Sequence, residues 1–141
     1  MITFVCGQLC SGKTVYSKAL CQVADAICIE VGDIVRILKQ TQDRKLLQDS
    51  KELFQHIVVY IQSQQKHNPG KDFVISGVRQ IEILEQFPNS TLLWIECPTK
   101  IRKERYKNRN KTGDTQTFEE AEQGDIALGI LEVKNYIFKN T

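Results

Sequence analysis

Gly7 and Gly12 bracket four residues, and Lys13 and Thr14 follow at once, in the stretch GQLCSGKT. The spacing answers the pattern G-x-x-x-x-G-K-[ST] in full. Glycine lets the main chain curl so that successive amides point inward, which makes a concavity for anions. The segment Gly7, Cys10, Ser11, Gly12, Lys13 and Thr14 is therefore expected to cradle the phosphates of ATP. Lys13 would reach the β- and γ-phosphates, and the Thr14 hydroxyl would hold Mg²⁺. A helix starting here would add its own free amides and its positive end. Only the backbone of Cys10 is needed for this, so its thiol reads as a tolerated small side chain.

Three further stretches carry residues suited to a second anion. In ICIEVGDIVR, Asp33 and Arg36 lie three apart at the start of a predicted helix and so share a face. In FVISGVRQ, Arg79 stands just past a predicted strand. In CPTKIRKERYKNRNKTGD, Arg102, Arg105 and Arg109 recur at helical spacing. Taken singly, each has an ordinary reading: an N-capping aspartate, a solvent-facing arginine, a solvated basic helix face. Two arginines placed just beyond strands of one sheet that also carries a phosphate loop favour anion binding. The planar guanidinium fork matches phosphate geometry. Arg105 and Arg109 could flank the nucleotide by charge and by stacking on its base.

The elements that must position these residues follow from the apolar pattern. Residues 2–6, 27–31, 72–76, 91–96 and 135–139 read as strands, being rich in β-formers and bounded by turn signals. Val15, Ala19 and Val23, with Tyr16 and Leu20, mark one apolar helix stripe. Leu53, Phe54, Ile57, Val58 and Ile61 mark another, with Ser50 as its N-cap. Strands alternating with helices predict an α/β fold, a parallel sheet covered on both faces. The 141 residues fit one domain. A net charge of +2 gives no reason to expect nucleic acid or a membrane surface as partner. No apolar run is long enough to span a bilayer. The five cysteines are odd in number and form no CxxC pair, which argues against a disulfide framework or a zinc site. Cys6, Cys28 and Cys97 are expected in the core. A reducing, cytoplasmic setting fits this usage. The two histidines, His56 and His67, are assigned no role.

The order of these motifs resembles the adenylate-kinase-like nucleoside monophosphate kinases, in particular small archaeal and phage members that include deoxynucleoside monophosphate kinases. GDIVR is similar to their Gly-Asp-x-x-Arg motif and SGVR to their Asp-Gly-x-(Pro)-Arg motif. IRKERYKNR is similar to their basic lid-entry helix. The resemblance extends through GDTQTFEEAEQGDIALGI to NYIFKN and implies a three-layer P-loop fold with a five-stranded parallel sheet in the order 2-3-1-4-5. It implies helices between residues 33 and 66 on the acceptor side and a short lid over about residues 110–125. It further implies that Lys13, Asp33, Arg36, Arg79 and Arg105 carry catalysis. Arg36 and Arg79 would grip the acceptor's phosphate, Asp33 would order water or the attacking oxygen, and Arg105 and Arg109 would flank the donor. The implied reaction is phosphoryl transfer from ATP to a nucleoside or deoxynucleoside monophosphate. A kinase for another small acceptor such as dephospho-coenzyme A, and a nucleotide-binding regulator with little turnover, stand as alternatives. The sequence departs from the family at Ser76, where an acid is expected. It departs also at Lys111, where relatives often have arginine, and near Ile83, where a glutamine reads the acceptor base.

Overall fold

The computed structural model describes residues 1–40, 48, 51–109 and 116–141. Four strands form one parallel sheet: β1 (Ile2–Gly7), β2 (Ile27–Glu30), β3 (Phe73–Ser76) and β4 (Thr91–Ile95). Their order is β2-β3-β1-β4. The register pairs Val5 and Glu30 with Ser76 and pairs Gly7 with Ile95. The carboxyl ends of all four strands therefore reach one edge of the sheet, where ligands of open α/β sheets sit.

The expected fifth strand at 135–139 is a helix, so the sheet has four strands rather than five in the order 2-3-1-4-5. Ile130, Val133 and Ile137 recur at helical spacing and are all buried within Ile130–Lys139. That period outweighs the β-forming composition of the stretch. Among the described residues no helix is long and apolar enough to cross a membrane.

The helices are α1 (Lys13–Ala24), α2 (Val31–Lys39), α3 (Phe54–His67), α4 (Ile81–Leu84), α5 (Thr99–Asn108), α6 (Phe118–Leu128) and α7 (Ile130–Lys139). A 3-10 turn at Lys51–Leu53 leads into α3, whose N-cap is Leu53; Ser50 lies outside the described residues. The two faces of the sheet are covered unequally. On one face α2, α3, α4 and α7 pack a large core around Phe4, Phe73, Ile75 and Phe87, with the Phe4 and Phe87 rings 5.8 Å apart. On the other, α1 alone closes a small cluster of Val5, Cys21 and Val74.

The orientation of α1 differs from the sequence expectation. It buries Ser17 and Cys21, while Val15, Tyr16 and Val23 are exposed. The phosphate loop sets this rotation. Lys13 and Thr14 face the sheet edge, which turns Ser17 and Cys21, one and two turns on, toward the strands. Ser17 is small enough for close approach and donates its hydroxyl to the Thr14 carbonyl at 3.0 Å. Cys28, expected in the core, is exposed on the edge strand β2, whereas Cys6 is buried.

Candidate active site

The loop between β1 and α1 folds back on itself, with the Ser11 amide donating to the Gln8 carbonyl at 3.1 Å. Cys10 has φ 61° and Gly12 φ 97°, both left-handed. A left-handed cysteine is uncommon outside functional loops. Gly7 is required by space. A Cβ there would collide with the Ser11 hydroxyl and lie 2.9 Å from the Ile95 carbonyl. Gly12 caps α1 without a side-chain bond, and no acidic residue occupies the helix's first turn. The first amides of α1 are thus kept for an external anion. Lys13 arches back to within 3.5 Å of the Gln8 carbonyl. Its charge is close enough to Cys6 to offset a little of the burial that pushes that thiol up to about 12.

Two arginines of α5 bond to the loop's carbonyls. The buried Arg102 donates to the Leu9 carbonyl at 3.2 Å and the Cys97 carbonyl at 3.1 Å, and lies 5.5 Å over the Phe118 ring. Arg105 donates to the Cys10 carbonyl at 3.1 Å. These bonds occupy the Leu9 and Cys10 carbonyls with cationic donors. Arg109 donates to the Cys10 sulfur at 3.4 Å and stacks 5.6 Å over Tyr106.

Two further arginines come from α2 and from the loop after β3. Arg36 is ion-paired with Asp33 at 2.8 Å. Arg79 follows Gly77, whose φ is 86°, and pairs through Nε with the buried Asp125 at 3.3 Å. A cleft of about 850 Å³ gathers these groups: Cys10, Ser11, Gly12, Lys13 and Thr14 with Arg36, Arg79, Arg105 and Arg109. That volume suits a ligand of nucleotide size. Asp33 does not line it; its side chain is 65% exposed, on the outer side of Arg36. Gly7 lies beneath the loop rather than on the cleft wall.

Sequence reasoning missed Glu30. It is the last residue of β2, pairs in register with Ser76, and is the one carboxylate among the described residues that line the cleft. The available signal was its position: the final residue of a strand points into the crevice more surely than the third residue of the next helix. Ser11 lines the cleft, but its hydroxyl is buried over Gly7 and finds no partner among the described residues. Ile83 is core at 1% exposure and reads no base. Of the stretch expected to cover the site, 110–125, residues 110–115 lie outside the described residues, Lys111 among them. From Thr117 onward it is a helix closed by a capping box, with Phe118, Ala121 and Asp125 buried. That half is packed structure rather than a lid. The acceptor-side span 33–66 contains most of α2 and α3, and residues 41–47 and 49–50 within it are outside the described residues.

Mg²⁺ prefers oxygen donors and keeps several waters. The Thr14 hydroxyl and the Glu30 carboxylate, both on the cleft wall, are donors of that kind, so these residues fit the ion.

The sequence profile of a family described as an AAA domain matches residues 3–126. No curated protein matches the chain. Among solved structures, an uncharacterised protein from Eubacterium ventriosum ATCC 27560 is similar over 100% of this chain and 78% of its own, at 16% identity and TM-score 0.52. The shikimate kinase from Aquifex aeolicus vf5 is similar over 99% of this chain and 95% of its own, at 14% identity and TM-score 0.53. At these identities the likeness is one of fold.

Proposed function

The chain belongs to the AAA domain family, and from that premise we propose that it transfers the terminal phosphoryl group of ATP to the phosphate of a nucleoside or deoxynucleoside monophosphate. One observation carries this reading: Lys13 and four arginines, Arg36, Arg79, Arg105 and Arg109, line the same cleft as an uncapped helix N-terminus. A site that only sensed ATP would need one set of anion donors. Here Arg36 on α2 and Arg79 beyond β3 come from other elements than the phosphate loop and supply a second set.

The chemistry asks for alignment and charge compensation more than for covalent help. The loop amides and Lys13 hold the donor's β- and γ-phosphates. An acceptor phosphate oxygen, already anionic at neutral pH, forms the new P–O bond as the bond to the β–γ bridging oxygen breaks and ADP leaves. Arg36 and Arg79 hold the acceptor against its own charge repulsion. Arg105 and Arg109 cover the donor side. Thr14 and Glu30 would hold Mg²⁺, which would supply further charge compensation to the donor's phosphates.

The test is a panel of nucleoside and deoxynucleoside monophosphates with ATP and Mg²⁺, followed by ADP release. Turnover with one or more of them, lost in Lys13→Ala, is expected. Tight ATP binding with no turnover of any of these monophosphates would remove the nucleotide-acceptor reading.

A second reading rests on Glu30. A carboxylate in the cleft can serve as general base for a hydroxyl acceptor, which a phosphate acceptor does not need. One neighbour in fold is a shikimate kinase. Glu30→Gln would lower phosphorylation of a hydroxyl acceptor by about a hundredfold or more. On a phosphate acceptor its effect would stay within about tenfold.

A further inference from the structure

Three acids of α6, Glu119, Glu122 and Asp125, recur every third residue, and each holds a cation from elsewhere. Glu119 pairs with Lys103 at 2.7 Å, Glu122 with Arg102 at 2.6 Å, and Asp125 with Arg79 at 3.3 Å. The first is on the surface. The second grips the arginine that holds the Leu9 carbonyl. The third is the most enclosed: the Asp125 side chain is 3% exposed.

From this geometry we propose that Asp125 is a positioning residue that aims Arg79 at the second anion in the cleft. The proposal rests on the reading that Arg79 grips the acceptor's phosphate. A guanidinium is rigid and planar, with Nε on one side and the Nη fork on the other. Nε is the guanidinium atom nearest the Asp125 carboxylate, an ion-pair contact that draws that side of the plane toward α6 and favours turning the fork to the cleft that Arg79 lines. The carboxylate is itself held. Its Oδ1 accepts from Gln48 Nε2 at 2.9 Å, and the same amide donates to the Ala121 carbonyl at 2.7 Å. Gln116 donates to Gln48 Oε1 at 3.1 Å. The backbone is pinned too: Gly129, at the joint between α6 and α7, has φ 128°, and a Cβ on it would lie 3.0 Å from the Arg79 carbonyl. Arg36 has a different support, since its partner Asp33 is exposed.

A general structural ion pair would not distinguish one ligand from the other; a positioning residue does. The test uses the full chain saturated with a non-hydrolysable ATP analogue, with inorganic phosphate as the probe of the second site, both measured by calorimetry. Arg79→Gln, whose amide can still donate to Asp125, should abolish phosphate binding. Asp125→Asn should weaken phosphate binding about tenfold while analogue affinity stays within about twofold. Wild-type phosphate affinity in Asp125→Asn, with Arg79→Gln deficient, overturns the positioning role and leaves the acceptor reading standing. Wild-type affinity in Arg79→Gln overturns both. Equal loss of the two ligands in Asp125→Asn means general damage and also overturns the proposal. Should Asp125→Asn not fold, Gln48→Met removes only the donor that steadies the carboxylate. It should weaken phosphate binding about threefold with analogue affinity kept, and an unchanged phosphate affinity overturns the role.

Discussion

On one rim of the cleft, Arg105 and Arg109 lean on the carbonyl and thiol of Cys10, so the donor side is supported by the loop's own backbone and its neighbours. On the other, Arg36 and Arg79 are fastened to the carboxylates Asp33 and Asp125. The first rim depends on shape: a glycine where no Cβ fits, left-handed turns, and carbonyls held by arginines. The second depends on charge balance. A rim built on shape fails all at once when an atom is added. A rim built on ion pairs fails by leaving a charge without its partner.

The largest expected effect comes from adding that atom. Gly7→Ala puts a methyl group against the Ser11 hydroxyl and the Ile95 carbonyl. ATP affinity, read by calorimetry, should fall by at least about a hundredfold, as expected when donors are displaced by an ångström. Near-normal binding would mean that loop shape is not what holds the donor. Next comes a pair of stability measurements in urea. Arg79→Ala strands the buried Asp125 carboxylate and should cost about 3 kcal/mol. Arg105→Ala, on an exposed residue, should stay within about 0.5 kcal/mol. Equal losses would erase the difference between the rims. The smallest effect is on thiol labelling by iodoacetamide. ATP should slow modification of Cys10 severalfold and leave the exposed Cys28 unaffected. Cys6 should stay unmodified, since burial both covers it and pushes its thiol up to about 12. Labelling of Cys10 at the same rate with and without ATP would place the nucleotide elsewhere.

The parts legible in the sequence are those whose cause is local. The phosphate loop follows from glycine spacing, and four strands follow from short β-rich runs between turn signals. The placement of Arg36 and Arg79 on the cleft follows from their position just past strand ends. Residues 135–139 misled because their composition is β-like; the helical period only emerges when Ile130 and Val133 are included. The rotation of α1 was hidden because the loop, not the apolar stripe, decides it. Glu30 carries no motif of its own beside the Gly-Asp-x-x-Arg pattern of Asp33, although the strand's last residue is the one that lines the crevice. Asp125 had no local signal at all. It lies in a helix far along the chain from Arg79, and only the tertiary fold brings the two together.

Among the described residues β4 pairs only with β1, which leaves its outer row of amides and carbonyls open. Such a margin is a template for another chain to zip onto, and folded proteins commonly blunt it with charge. At the end of β4, the Trp94 indole donates to Glu96, the residue just past the strand, at 2.8 Å, and Lys134 reaches Glu96 at 3.5 Å while lying 5.8 Å over the Trp94 ring. The indole bond, with help from Lys134, holds the Glu96 carboxyl below the usual range for glutamate. That carboxylate therefore keeps its charge into more acidic solution than an unassisted glutamate would, and with it the tie between the end of β4 and Lys134 of α7.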